Sequence, residues 1–243
     1  MSAHTAVVTG GAHGLGEFIV RRLHADGFRV AIADLDAEAA TALAGELGDC
    51  RGYGIDVGDP EAVRRLKDDV VRDLGGVHVL VNNAARTRST PLLEITPEEL
   101  NAVMAVNFTG TFTACQAFGA HFARQGYGRI VNMASLAGQN GGTATGGHYA
   151  SSKGAVLTAT KVFARELAPH GVTVNAVSPG PQDSPVVRSI IGEDRLAAYT
   201  ETIPVGRLGD PAFVARVVAL LACPDAASVT GACWDANGGL HLR

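Results

Sequence analysis

Tryptophan occurs once and cysteine four times in 243 residues, and aromatic residues make up only 5% of the chain. Cys50, Cys115, Cys223 and Cys233 show no CxxC or Cys/His ligand spacing, so neither a metal site nor a disulfide scaffold is expected. They read as reduced, half-buried side chains of a cytoplasmic protein. Positive charge is also in short supply: 20 basic residues face 24 acidic ones, for a net charge of −4. Nucleic acid and anionic membranes select basic patches, so the expected partner is a small molecule, with no nucleic acid and no membrane. Long apolar runs are missing as well. The longest, near Val214–Cys223, is interrupted by Arg216 and is too short to cross a bilayer. The opening MSAHTAVVTGG has neither the basic start nor the apolar centre of a signal peptide.

Glycine, by contrast, is abundant: 30 residues, against a usual level of roughly 7%. With 47% hydrophobic residues and no G-X-Y period, disorder and collagen are excluded. Short β-branched runs alternate with helical patterns: TAVVT (5–9) before a helix at 14–26, FRVAIAD (28–34) before 36–47, YGID (53–56) before 60–74. VHVLVN (77–82) precedes a helix at 97–124, GRIVNMA (128–134) one at 148–169, and VTVNAVS (172–178) an irregular stretch, a helix at 211–222 and a short strand near Cys233–Ala236. That alternation predicts an α/β fold of Rossmann type, a doubly wound parallel sheet of about seven strands with helices on both faces. No linker or composition break appears, so residues 1–243 are expected to form one domain.

Ligands of such sheets bind beyond the carboxyl ends of the strands. After the first strand comes TGGAHGLG (9–16), where Gly10, Gly14 and Gly16 let the backbone turn and approach a pyrophosphate at a helix N-terminus. The spacing G-x-x-x-G-x-G departs from G-x-G-x-x-G, and a plain turn between strand and helix is the competing reading. Asp34, 18 residues beyond Gly16 at the tip of the second strand, favours the nucleotide. Its carboxylate suits the adenosine ribose hydroxyls and repels a 2′-phosphate, which predicts NAD(H). Capping of the following helix is the alternative for Asp34 and, more so, for Asp36. Asp56 with Val57 is expected at the adenine edge, and Asp59 as a helix cap. His13, Leu15 and Leu35 flank these positions.

The segment Tyr149-Ala-Ser-Ser-Lys153 puts a phenol and an ammonium four residues apart on one face of a helix. A phenol is a poor base at neutral pH, and a neighbouring cation lowers its pKa. A solvated Tyr/Lys pair is the plain alternative. Ser135, at the end of strand five, and Asn107, in the preceding helix, favour the chemical reading.

These residues carry a resemblance. TGGAHGLG (9–16), NNAA (82–85), VNFTG (106–110), NMAS (132–135), YASSK (149–153), VNAVSPG (174–180), IPVGRLGDP (203–211) and VTGACWDANGG (229–239) occur in order along essentially the whole chain. The sequence resembles the short-chain dehydrogenase/reductase family in its single-domain form. The resemblance implies a seven-stranded sheet, a homotetramer, and a tetrad of Asn107, Ser135, Tyr149 and Lys153. In that tetrad Tyr149 exchanges the proton, Ser135 orients the reacting oxygen, Lys153 lowers the tyrosine pKa and holds the nicotinamide ribose, and Asn107 supports a water-linked path to Lys153. It also implies that Asn83 and Ala84 face the adenosine half and that Pro179, Gly180, Gln182 and Ser184 pass the nicotinamide.

Three features depart from the family pattern. Ser135 and Tyr149 stand 14 apart, one more than expected, which predicts an outward bulge in GQNGGTATGGH (138–148). Ala85 stands where glycine is usual. Pro181, which donates no N–H, and Ser184 replace an apolar residue and a threonine. On the substrate side the resemblance implies a pocket lined by Arg86–Ser89, Leu136–Gly142, His148 and a mobile segment within 182–210. Arg86, Gln139, Asn140, His148 and Gln182 are the candidate contacts, and solvent-facing amides the alternative. The expected activity is NAD(H)-dependent interconversion of a secondary alcohol and a ketone. An NADPH-dependent 3-oxoacyl-carrier-protein reductase and a catalytically silent dinucleotide sensor are the alternatives.

Overall fold

Strands Thr5–Thr9 (β1), Arg29–Asp34 (β2), Cys50–Gly54 (β3), Val79–Asn82 (β4), Gly128–Met133 (β5), Val172–Pro179 (β6) and Cys233–Ala236 (β7) form one parallel sheet in the order β3-β2-β1-β4-β5-β6-β7. The computed structural model describes residues 4–142, 145–185, 187–188 and 192–242. Parts of the predicted loop 138–148 and segment 182–210 therefore lie outside the described residues. Side chains alternate across each strand, so Ala6 and Val8 enter one layer and Val7 the other. The first layer is closed by α1 (Gly14–Ala25), α2 (Ala37–Leu47) and α9 (Pro211–Ala222). The second is closed by α3 (Pro60–Leu74), α5 (Thr111–Gln125) and α7 (Gly147–Leu167), where Phe118 and Phe122 are completely buried. Shorter helices α4 (Pro97–Met104), α6 (Ala137–Asn140) and α8 (Glu193–Glu201) lie outside these layers' cores.

Helix starts follow the chemistry of the sequence. Asp59, Thr96 and Asp210 each cap a helix that opens with proline, accepting from Glu61 N, Glu99 N and Ala212 N, because the proline has no N–H to leave unpaired. Asp36, not Asp34, caps α2 through Ala39 N.

Three elements differ from the sequence-based expectation. The third strand is Cys50–Gly54, not 53–56: its Cys-Arg-Gly-Tyr-Gly lacks an apolar run, and backbone pairing with β2 defines it. The long helix predicted at 97–124 is broken into α4, a π-helical turn at Ala105–Gly110, and α5. Finally, α8 lies in the stretch read as irregular. No helix among the described residues is long and apolar enough to cross a membrane, and no disulfide joins the four cysteines. The strand order reverses beside β1, between β2 and β4, which opens the crevice where ligands of this architecture bind.

Candidate active site

The loop after β1 is a backbone cradle. A Cβ at Gly16 would stand 1.8 Å from the carbonyl oxygen of Gly10, while Gly14 has φ +54° and open space beside it. Only glycines allow α1 to begin this close to β1 and leave its first N–H groups facing outward, the arrangement that receives a phosphate. Asn83 locks the cradle from β4: its Nδ2 donates to Thr9 O at 3.2 Å and Gly10 O at 2.8 Å. The backbone N–H groups of Asn83 and Ala84 donate to Thr9 Oγ1. Asn83, expected against adenosine, thus acts first as the clamp between β1 and β4.

Asp34 ends β2 half-buried, its Oδ2 accepting from Ala12 N at 2.9 Å and its Oδ1 from Asp36 N at 3.1 Å. Each oxygen keeps a second lone pair for a hydroxyl donor. His13 lies across the same mouth, Nε2 3.2 Å from Asp36 Oδ2, and the Ala39 N–H and His13 hold the Asp36 carboxyl below its usual range. Leu35 is exposed. Asp56 is an exposed side chain folded onto Gly58 N, and Val57 is part of the core. Of the pair expected at the adenine edge, only Asp56 therefore presents a side chain at the surface.

At the ends of β4, β5 and β6 a cavity of about 370 Å³ is lined by residues that include Leu15, Asn83, Ser135, Tyr149, Lys153, Pro179, Gly180 and Gln182, a size suited to a small molecule. Tyr149 sits in the first turn of α7. Burial pushes its phenol above the usual range, and a hydrogen bond with the Ser135 hydroxyl works against that rise. The 14-residue spacing therefore leaves Ser135 and Tyr149 in contact; residues 143–144 of the predicted bulge are outside the described residues. Lys153, one turn further on, is fully buried, its Nζ 5.8 Å from the Tyr149 ring centroid and donating to Met133 O at 2.6 Å. Burial lowers this ammonium from 10.5 to about 8.

Asn107 lies in the π-helical turn, a feature frequent at functional sites. Its Oδ1 accepts from Arg86 N at 2.7 Å, and its Nδ2 donates to Arg86 O at 2.9 Å and Ser152 Oγ at 3.0 Å. Ser152 Oγ in turn donates to Tyr149 O at 2.7 Å. The Asn107 amide thereby holds the backbone of Arg86 against α7. Ala85 needs no glycine, since no described non-glycine residue has a positive φ.

Several substrate-side expectations are corrected. Arg86 is exposed and absent from the cavity lining, because the extended segment turns Ala85, Thr87 and Ser89 inward and the arginines between them outward. Gln139 points away, its Nε2 2.7 Å from Asp235 Oδ1. His148 is buried against Glu99 at 2.9 Å and borders a separate groove with Leu92 and Leu100. Ser184 Oγ accepts from Val187 N at 3.3 Å as the cap of a local turn, and is not in the lining. Asn140 and Gln182 do line the cavity, as do Val187 and Tyr199 from the segment expected there but not singled out as contacts. Gln182 Nε2 donates to Gly180 O at 3.0 Å. Tyr199 has no sequence signal other than an aromatic in the segment expected to cover the pocket.

Comparison with known proteins agrees with this geometry. A family model described as enoyl-(acyl carrier protein) reductase matches residues 10–241. The 4-formylbenzenesulfonate dehydrogenase of Comamonas testosteroni is 39% identical, covering 100% of this chain and 99% of its own. The chain belongs to the short-chain dehydrogenase/reductase family. Other members of that family are a 3-oxoacyl-(acyl-carrier-protein) reductase of Vibrio cholerae, 35% identical over 100% of this chain and 99% of its own, and an acetoacetyl-CoA reductase of Rhizobium meliloti, 39% identical over 99% of each. The protein is thus an oxidoreductase of a family that uses a nicotinamide dinucleotide.

Proposed function

We propose that this short-chain dehydrogenase/reductase interconverts a secondary alcohol and a ketone with NAD(H). The observation that carries the reading is the half-buried Tyr149 phenol, bonded to Ser135 in a cavity of small-molecule size, with the Lys153 ammonium one helical turn away. The dinucleotide, when bound, supplies the hydride donor or acceptor. The chain supplies the rest: Tyr149 gives a proton to the carbonyl oxygen or takes one from the alcohol, and the Ser135 hydroxyl donates to the same oxygen and orients it. A buried phenolate is costly alone, and the ammonium of Lys153 offsets that cost. The cradle from Gly10 to Gly16 fits the pyrophosphate, Asp34 the ribose hydroxyls, and Lys153 the nicotinamide ribose.

Preference for NAD(H) rests on Asp34 and Asp36. A 2′-phosphate at this mouth would face two carboxylates, with His13 already paired to one of them. The relatives named 3-oxoacyl and acetoacetyl-CoA reductases favour a second reading, an NADPH-dependent 3-oxoacyl reductase, against which the same carboxylates stand. A silent sensor would have no use for the Ser135–Tyr149–Lys153 arrangement. Assembly as a homotetramer is also proposed, supported by apolar side chains left exposed on α7 and α9 (Val162, Phe213, Leu220).

A panel of alcohols, ketones and 3-oxoacyl thioesters, followed by reduced-nicotinamide absorbance with each cofactor, tests the reading. Tyr149→Phe is expected to cost about 10²–10⁴-fold in turnover while binding cofactor normally; retention of most activity would sink the assignment. Asp34→Ala is expected to lower the NAD/NADP ratio of kcat/KM at least about tenfold, the scale of a lost charge-assisted bond. An unchanged ratio would reverse the cofactor argument.

A further inference from the structure

The first turn of α7 carries Tyr149, yet its N-cap residue, Gly146, provides no side-chain cap. A helix end without a cap frays unless something else holds it. Here the backbone N–H of Gly146 donates to Arg88 O at 2.9 Å, and the side chain of His148 turns back under the helix. The imidazole is completely buried, with Nε2 2.9 Å from Glu99 Oε1. A Cβ at Gly146 would lie 2.3 Å from His148 Cε1, so the glycine opens the space that the ring fills.

Glu99 is unusual in its own helix. Thr96-Pro-Glu-Glu99 is a capping-box sequence, and the forward half of the box is made: Glu99 N donates to Thr96 Oγ1 at 3.2 Å. In such a box the glutamate carboxylate returns to the cap residue's N–H. In this protein it instead accepts from Thr90 Oγ1 at 2.5 Å and meets His148, and those two contacts hold the carboxyl below its usual range. One carboxylate therefore joins three elements: the 85–90 wall of the cavity, α4, and the turn that carries Tyr149.

We propose that His148 and Glu99 are positioning residues that hold the Tyr149 phenol in register with the cavity wall. The proposal rests on the reading of Tyr149 as the proton-exchanging group. Neither residue lines the cavity itself, so their effect passes through the backbone of the first turn. A second tether runs from Asn107 through Ser152 to the backbone carbonyl of Tyr149.

The test is a double-mutant cycle on the full-length protein with saturating cofactor, using His148→Ala, Glu99→Ala and both together, with His148→Gln as the conservative variant. A small misplacement of a reacting group costs about 10- to 100-fold in rate, so each alanine variant is expected to lose at least about tenfold in kcat. Cofactor affinity, read by fluorescence, is expected to change less than about twofold, and the double variant to be no worse than the weaker single one. His148→Gln, whose amide still reaches Glu99, should recover to within about threefold of the parent. The proposal is overturned if the alanine variants keep their kcat, if kcat and cofactor affinity fall together, if the two losses multiply, or if the glutamine rescues nothing. Glu99→Ala, on a partly exposed first turn, keeps the test open if His148→Ala does not fold. Tyr149→Phe run alongside separates the failures: retained turnover refutes the role of the tyrosine itself, whereas a dead Tyr149→Phe with uncoupled His148 and Glu99 refutes only the tether.

Discussion

Two glycine-rich loops border the same cleft, and their glycines meet different neighbours. After β1, Gly16 presses on the carbonyl of Gly10, six residues back in the same turn. After β5, Gly138 would place a Cβ 2.6 Å from the backbone carbon of Lys153, and Gly146 packs on the His148 ring and on Arg88 O. The first loop closes mainly on its own backbone, with Asn83 as its one distant clamp named above. The second is a docking surface through which distant segments set the position of Tyr149 and Lys153.

The sharpest way to break this comparison is to fill each contact. Gly16→Ala forces a methyl into a carbonyl oxygen, and neither α1 nor the loop can yield without the other. It is expected to destabilise the fold by about 3 kcal/mol or more and to abolish cofactor binding, read by denaturant midpoint and cofactor fluorescence. Gly138→Ala should cost about 1–3 kcal/mol, and its kinetic signature should differ: a fall in kcat at least about tenfold larger than any fall in cofactor affinity, because α6 pushes on α7. Equal loss of cofactor binding in the two variants would erase the distinction between the loops.

Lys153, which Gly138 contacts, provides a test of opposite sign. The unfolded chain protonates this amine below 10.5 and the folded protein only below about 8. Between those values the unfolded state binds more protons, so stability rises with pH from 8 to 10.5. Below 8 the buried charge is a standing cost of roughly 3 kcal/mol, partly offset by the bond to Met133 O. Lys153→Met is therefore expected to be inactive yet about 1–2 kcal/mol more stable at pH 7, and to lose the slope between pH 8 and 10.5. Thermal midpoints across that range measure it. A less stable methionine variant would mean that the ammonium contributes more to the fold than its burial costs.

The same contrast explains what was legible in the sequence. The cradle, Asp34, and the Tyr149/Lys153 spacing depend on near neighbours along the chain, and the structure places each at the crevice. Both Asp34 and Asp36 precede α2, and Asp36, the one favoured as its cap, is the residue that accepts from Ala39 N. The start of strand β3 is placed three residues late, at 53, because Cys50–Gly54 lacks an apolar run and is defined by pairing with β2. The direction of side chains in the second loop was not legible at all. Gln139 and His148 are polar residues near the tetrad, and nothing local says that one turns to β7 and the other to α4.

The smallest expected effect is the one that tests that last point. Gln139 lies on α6 between two residues that line the cavity or sit close to it, and by sequence position it is as good a substrate contact as Asn140. Its amide, however, donates to Asp235 Oδ1 at 2.7 Å across the gap to β7, and Arg86 likewise faces out from the wall that Ala85 and Thr87 form. Gln139→Ala and Arg86→Ala should each change kcat/KM by less than about threefold, within the roughly 1 kcal/mol of an exposed polar contact, on whichever substrate the panel finds. Tyr199→Phe, which alters a group that does line the cavity, is the internal control and should exceed both. Should Gln139→Ala instead cost tenfold or more, α6 must rotate when substrate binds, and the second loop would be a moving part as well as a docking surface.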